Sequence, residues 1–340
     1  MNIHAPAFHL FGMGHRRKML YQGGVLRDAL TAEPLYAWPV AAERIEPSEY
    51  RVTVETRDGS RVRVVEDEEG VWIETPGDRA PLTRSPVKLP DFAGHSKAAL
   101  LRALHAELLV NVMPFGPVPN LWVYPRPWYR DAAMMLMCFE KTGNLGLVEP
   151  WVMGLREVFD RNNAGDEEPD NLGQALFMIS LVSDRRHPLV ETILHAVKGR
   201  ARNKHLVGRT DGAEHPDYQT KWLKYGLRAL GLADDFEAPE VFDSYDALFW
   251  MDFKDRHVAG PRFDPDAAQA FPYLAWAEAH FFGDPPPMPA DESCTALTWE
   301  GSGSEAEYWR IAILSNELAE GRSCTPHTWH AAEMFLYFVD

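Results

Sequence analysis

The apolar pattern of the chain changes from period two to helical period, and this change limits the folds it can adopt. Over residues 50–74 apolar and polar side chains alternate, with Asp-Gly and Glu-Gly pairs at the turns, as in an antiparallel meander. Residues 75–92 hold several prolines and are predicted to form a connector. From residue 95 onward apolar side chains recur at helical spacing in successive segments. The sequence therefore predicts a β-rich region at 1–94 and a helical region at 95–340.

The helical region contains two kinds of predicted helix. Some segments are apolar on nearly all sides, as at 134–139, 175–182 and 334–339, whereas others keep a polar face. An alternation of fully buried and half-buried helices is what a two-layer helical barrel requires. We therefore expect a mainly α chain that forms an (α/α)6 barrel of helical hairpins, with two less evident helices inside 234–266.

Composition limits the partners and the compartment. The 340 residues carry a formal net charge of −16, whereas a surface that binds nucleic acid needs an excess of Lys and Arg, so nucleic acid is not expected as a partner. No run approaches the roughly 18 apolar residues of a transmembrane helix, and the first residues do not resemble a signal peptide. We therefore expect a cytoplasmic protein without a membrane partner. Its oligomeric state stays open.

One motif combines aromatic rings with a strong donor and a strong acceptor. Trp128, Tyr129, Arg130 and Asp131 stand directly before an apolar helix. Arg130 offers a rigid fork of N–H donors and Asp131 a double acceptor, which is the chemistry needed to hold vicinal hydroxyl groups. An internal salt bridge is the alternative. The motif predicts a sugar pocket at the open end of the helix.

Other predicted inner helices also begin with polar or aromatic residues. If these helices run parallel inside a barrel, their N-terminal ends lie on one face. For any single Asp or Asn, an ordinary N-cap is the simpler explanation. We expect the following residues to form a saccharide site together: Trp128, Tyr129, Arg130, Asp131, Asp170, Asn171, His215, Tyr218, Lys221, Trp222, Tyr245, Asp246, His327, Trp329 and His330.

Three stretches resemble a known group of enzymes. Residues 128–132 resemble the Trp-x-Arg-Asp-Ala/Ser motif of glucoamylases and their six-hairpin glycosidase relatives. Residues 214–223 are similar to the region after the general acid of bacterial members, and 325–333 to the opening of their last inner helix. The resemblance covers about residues 95–340 in helix order. It implies a glycoside hydrolase whose Arg-Asp pair holds sugar hydroxyls, although the loops that carry the acid and the base are shorter here.

Hydrolysis of a glycosidic bond needs two carboxyl groups. One protonates the leaving oxygen and the other activates water, at about 6.5–9.5 Å from the first in an inverting enzyme, as the resemblance implies. Glu214 is the predicted acid, with an apolar wall from Trp222 or Tyr218 to keep its proton. Glu317 is the preferred base and Glu320 the second choice. Three further carboxylates stay open as catalysts: Asp170, Asp246 and Glu300.

Two other functions stay open. A sugar epimerase, isomerase or lyase would use His215, His327 or His330 as a proton shuttle. A binding protein would keep the pocket without turnover. No metal is expected, because His327 and His330 lack a third ligand at suitable spacing. No cofactor is expected either. The predicted partner is a small saccharide.

Overall fold

Strands fill the first part of the chain in the computed structural model, which describes residues 8–122, 124–239, 241, 243 and 328–339. Four short strands form an antiparallel sheet in chain order. They are β1 (His9–Phe11), β2 (Met19–Gln22), β3 (Val25–Asp28) and β4 (Pro34–Ala37). Five longer strands form a second antiparallel sheet, also in chain order. They are β5 (Val40–Glu46), β6 (Arg51–Thr56), β7 (Arg61–Glu66), β8 (Gly70–Thr75) and β9 (Asp78–Arg84).

The two sheets share one apolar cluster. Val52 and Val54 of β6 are buried, and they pack in a cluster with Phe11 and Tyr21 of the four-stranded sheet. Residues between them on the same strand point outward, because successive side chains of a strand face opposite sides. The apolar side chains of the alternation predicted for residues 50–74 therefore face the cluster that the two sheets share.

Helices follow the sheets. They are α1 (Ala98–Val110), α2 (Tyr129–Thr142), α3 (Glu149–Met153), α4 (Asp170–Val182), α5 (Pro188–Arg200), α6 (Pro216–Ala229) and α7 (Thr328–Val339). Short 3₁₀ helices occupy Pro47–Glu49 and Leu145–Leu147. Three hairpins built from two-residue strands connect helices. They pair β10 (Val112–Met113) with β11 (Gly116–Pro117), β12 (Ala201–Arg202) with β13 (His205–Leu206), and β14 (Arg209–Thr210) with β15 (Ala213–Glu214).

Several helix ends follow directly from the sequence. Gly143 ends α2 in the left-handed conformation, with a φ of 74°, which is the usual role of glycine after a helix. Pro188 and Pro216 stand in the first turns of α5 and α6, where a missing N–H is harmless. The side chain of His187 also caps α5 by accepting a hydrogen bond from the backbone N–H of Leu189.

Two glycines allow α4 and α6 to pack very closely. A Cβ atom at Gly173 would lie 2.1 Å from the backbone carbon of Trp222, and one at Gly226 would lie 2.5 Å from the carbonyl oxygen of Gly173. A Cβ at Gly226 would also meet the backbone nitrogen of Phe177, one turn further along α4, at 3.2 Å. A later residue of α6 thus meets a later residue of α4, so the two helices run parallel. The two backbones touch where ordinary side chains would keep them apart.

The expectation of a mainly α chain in an (α/α)6 barrel is wrong. Helices hold 36% and strands 25% of the described residues, and the strands form sheets of four and five members. The four-stranded sheet escaped the sequence pattern because its strands have only three or four residues. The predicted connector at 75–92 contains β9, whose Pro81 is tolerated because β9 is an edge strand. The helices predicted within 244–327 lie outside the described residues.

The helical segment that follows α2 is short. It consists of a 3₁₀ turn and the five residues of α3. Across the ranges that the structure describes, no helix is long and apolar enough to cross a membrane.

Replacing Gly173 with alanine should lower the free energy of unfolding by roughly 2–4 kcal/mol, because the added methyl group would overlap the backbone of α6. Urea unfolding followed by circular dichroism measures this change. Gly199→Ala in α5 is the control, since a Cβ there meets nothing within 4 Å. That variant should match the parent or gain about 0.5–1 kcal/mol. Equal losses in the two variants would contradict the close packing of α4 and α6.

Candidate functional site

The buried guanidinium of Arg130 stands at the centre of a polar cluster. Arg130 is the second residue of α2 and is 4% exposed. Its Nε donates to Asp170 Oδ2 at 3.0 Å, its Nη2 to Glu168 Oε2 at 2.8 Å and its Nη1 to Asp211 Oδ2 at 2.5 Å. These carboxylates come from the start of α4, the loop before it and the turn between β14 and β15. One side chain thus joins three separate segments of the chain.

The cluster continues from α4 to α6. Thr210 Oγ1 donates to Asp170 Oδ1 at 3.2 Å, and Gln219 Nε2 of α6 donates to Thr210 Oγ1 at 2.9 Å. Gln174 Nε2 donates to Asp170 Oδ2 at 2.9 Å. Asp170 is fully buried, yet both of its carboxylate oxygens accept hydrogen bonds. The first turn of α6 is therefore connected to the same carboxylate that binds Arg130.

The start of α7 completes the cluster. The guanidinium carbon of Arg130 lies 5.3 Å from the ring centroid of Trp329, which is within cation–π range. Thr328 Oγ1 lies 3.4 Å from Asp131 Oδ1. Four helices (α2, α4, α6 and α7) therefore present their N-terminal ends to one place. Each N-terminus carries a partial positive charge, which favours the carboxylates gathered there.

Asp160 has an unusual environment beside this cluster. Its Oδ2 accepts a hydrogen bond from the backbone N–H of Tyr129 at 2.5 Å. Its Oδ1 is buried and has no hydrogen-bond partner among the residues that the structure describes. Burial raises the pKa of Asp160 to about 7, and it also raises the pKa of Glu168 above its usual value. A carboxyl group with a pKa raised by burial therefore lies beside the carboxylates that bind Arg130.

Asp211 is the most accessible of the three carboxylates that bind Arg130. Its side chain is 36% exposed, whereas those of Glu168 and Asp170 are almost completely buried. Asp211 and Gly212 have φ values of 48° and 77° and form the two-residue turn of the β14–β15 hairpin. An Asp-Gly pair suits such a turn, which needs two residues with positive φ.

The structure brings about half of the predicted site residues together. Asn171 lies at the same end of α4 and accepts a hydrogen bond from the backbone N–H of Asp160 at 3.1 Å. Tyr129 packs into the core instead, with its hydroxyl donating to the carbonyl oxygen of Glu157 at 2.6 Å. The members gathered at the cluster are Trp128, Arg130, Asp131, Asp170, Asn171 and Trp329. Arg130 forms the internal ion pairs that the sequence left open as the alternative to a sugar contact.

The α6 residues of the predicted site also form polar contacts of their own. His215 Nδ1 lies 2.7 Å from Asp243 Oδ1, and Asp243 Oδ2 accepts a hydrogen bond from the backbone N–H of Tyr218 at 3.1 Å. Lys221 Nζ pairs with Asp217 at 2.9 Å, and both side chains are buried. His215 and Asp243 thus form a buried dyad at the start of α6.

Among the predicted catalytic carboxylates that the structure describes, Asp170 lies in the cluster and Glu214 lies on β15. Glu214 is exposed on β15, whereas Trp222 and Tyr218, its expected apolar wall, are buried. Its role as the acid stays a prediction. Other expected site residues lie outside the described residues: Tyr245, Asp246, Glu300, Glu317, Glu320 and His327. His330 lies in α7.

The sequence missed three residues of the cluster. Asp211 had a usable signal, because Asp211-Gly212 is a typical hairpin pair. Glu168 stands two residues before the predicted cap Asp170 and offered a weaker one. Asp160 had none, since its burial depends on the packing of the loop before α4 against the start of α2.

Comparisons with models of protein families, with curated proteins and with solved structures found no match to this chain. The similarity to six-hairpin glycosidases therefore depends on the three stretches of sequence alone. In the described part of the chain, no group of three or more His, Cys, Asp or Glu side chains is arranged to hold a metal ion.

Arg130→Met should lower the free energy of unfolding by roughly 3–5 kcal/mol, because it leaves the buried carboxylates without their cation. Urea unfolding at pH 7 and at pH 4 tests this, and the deficit should be smaller at pH 4, where protonation removes the unpaired charges. Arg186→Met is the matched control. The pair of Arg186 with Asp184 is exposed at the surface, so its loss should change the free energy by no more than about 0.5 kcal/mol. A loss below about 1 kcal/mol for Arg130→Met would contradict its central role.

Proposed function

We propose that this chain is a glycoside hydrolase-like enzyme that cleaves a glycosidic bond in a small saccharide at the cluster around Arg130. The observation that carries this proposal is the meeting of four helix N-termini with a set of carboxylates that differ in burial. Trp128 and Trp329 stand at the starts of α2 and α7 and supply flat apolar faces for sugar rings. The three stretches that resemble six-hairpin glycosidases support the same substrate class.

Asp160 is the proposed proton donor. A general acid must hold its proton at the working pH, and burial raises the pKa of Asp160 to about 7. Its Oδ1 has no hydrogen-bond partner within the described ranges, so no donor there stabilises the ionised form. Glu214 is exposed and lacks the apolar surroundings that the role requires. Asp160 therefore fits the acid better than the residue favoured by sequence.

Asp211 is the proposed second carboxylate. Its Oδ2 accepts a hydrogen bond from Arg130 Nη1, and its side chain is partly accessible to water and substrate. Glu168 and Asp170 are less suited, because both are buried and hold segments of the chain together. Asp211 would activate water for an inverting reaction or attack carbon directly in a retaining one.

Asp160→Asn should lower kcat/KM for hydrolysis by roughly a hundredfold to ten-thousandfold, because the amide cannot give up a proton. Release of monosaccharide from a panel of disaccharides measures this. The kcat/KM of the parent should also fall as the pH rises above about 7, since Asp160 then loses its proton. The high-pH fall should be missing from the residual activity of the variant.

Glu214→Gln is the comparison variant for this experiment, and it should keep most of the activity. Loss of activity in Glu214→Gln with normal activity in Asp160→Asn would overturn the assignment of the acid. Binding of saccharides without turnover by the parent would overturn the hydrolase itself and favour a binding protein.

The buried dyad of His215 and Asp243 favours a second function, the epimerisation or isomerisation of a free sugar. A carboxylate on Nδ1 orients an imidazole so that Nε2 exchanges the proton. Such an enzyme removes a proton beside the sugar carbonyl and returns it to another face or atom. This function uses the start of α6 rather than the ion pairs of Arg130.

If the second function holds, free sugars incubated with the protein in ²H₂O should gain deuterium at the carbon beside the carbonyl, as mass spectrometry measures. Asp243→Asn should slow this exchange by roughly a hundredfold or more, because the imidazole loses the partner that orients it. Asp235→Asn, at an exposed position nearby in sequence, is the control and should leave the rate unchanged. Absence of exchange in the parent would eliminate the second function and leave the hydrolase untouched.

A further inference from the structure

A groove of about 690 Å³ lies on the outer face of the five-stranded sheet, away from the proposed catalytic residues. Its floor is a row of directly opposed residues: Arg44 faces Thr53, Thr53 faces Arg63, and Arg63 faces Glu74. This row crosses β5, β6, β7 and β8, a span of roughly 14 Å at the usual spacing of strands. The volume lies within the range of small-molecule sites.

The groove is charged but neutral in sum. It is lined by the four arginines Arg44, Arg51, Arg61 and Arg63 and by an equal number of glutamates. The remainder of the lining is uncharged. The formal charges therefore cancel inside the groove, although the whole chain carries −16.

The ion pairs of the groove leave hydrogen-bonding capacity toward solvent. Arg61 pairs with Glu55 and Arg63 with Glu74, each through one guanidinium nitrogen at 3.0 Å. A guanidinium has five N–H donors and a carboxylate has about four lone-pair positions, so both partners retain unused donors and acceptors. The side chains of Arg61 and Arg63 are 64% and 48% exposed. Donors and acceptors thus alternate across an accessible concave surface.

This array selects a chemical class of ligand. A polyanion is repelled by the net charge of the chain, and a polycation gains nothing from a groove whose charges cancel. Hydroxyl groups both donate and accept, so a chain of sugar hydroxyls matches alternating guanidinium and carboxylate groups. We propose that the groove on the five-stranded sheet binds a neutral oligosaccharide, at a site separate from the cluster around Arg130. This proposal does not depend on any catalytic activity.

Isothermal titration calorimetry of the full chain with maltohexaose, cellohexaose and xylohexaose tests the proposal. At least one hexasaccharide should bind, with the same Kd at 50 and 500 mM NaCl, because a neutral ligand displaces no counterions. Thr53→Tyr places a large side chain in the centre of the row and keeps a residue that favours strands. Arg63→Ala removes the donors beside it. Each change should weaken binding at least tenfold without altering hydrolysis of disaccharides.

Arg186→Ala is the matched control, since Arg186 forms an exposed ion pair outside the sheet. It should bind the hexasaccharide as the parent does. An unchanged thermal midpoint in Thr53→Tyr confirms that its loss of binding is not a loss of fold. Arg63→Ala tests the contribution of the groove to binding independently. The proposal is overturned if none of the three sugars binds at millimolar concentration, if both groove variants bind like the parent, or if binding falls steeply with salt.

Discussion

The ion pairs of Arg130 are the interaction on which the helical part of the chain depends. Moving a guanidinium out of water costs several kcal/mol, and only close partners of opposite charge offset that cost. Glu168, Asp170 and Asp211 provide them from segments that are far apart in sequence. Because Trp329 lies against the same group, the start of α7 is placed relative to α2 and α4 as well. The polar end of the helices therefore also joins them to one another.

A second buried charge joins the sheets to the helices. Both oxygens of Glu66 accept hydrogen bonds from the loop between β1 and β2: the backbone N–H of Gly12 donates to each, and that of Met13 to Oε1. Arg16 pairs with the same carboxylate at 2.9 Å. Burial raises the pKa of Glu66, and these partners oppose that rise. The same loop reaches the end of α1 through the backbone N–H of Gly14. The sheets thus fix the position of a loop that also binds the end of α1.

The cluster around Arg130 shows why catalytic and structural carboxylates are hard to separate by sequence. Asp170 is an ordinary residue for a helix start, yet it also holds α6 through Thr210. Glu214 stands just before α6 and Asp160 lies in the loop before α4, and the structure shows that Asp160 is the more buried of the two. The sequence predicts that polar helix starts lie on one face, and in the described part of the chain four helices begin at the same cluster. Which of their carboxylates are buried and which are accessible was decided by the tertiary structure.

The sequence by itself determined the local features, because they depend on neighbours along the chain. Alternation over 50–74, the glycine after α2 and the prolines in α5 and α6 placed strands and helix ends close to where they lie. Only the tertiary structure decided the four-stranded sheet, the inclusion of Pro81 in an edge strand and the environment of Asp160. Each depends on contacts between distant segments, and short strands or single carboxylates carry too little periodic signal to reveal them. The mainly α expectation failed for this reason.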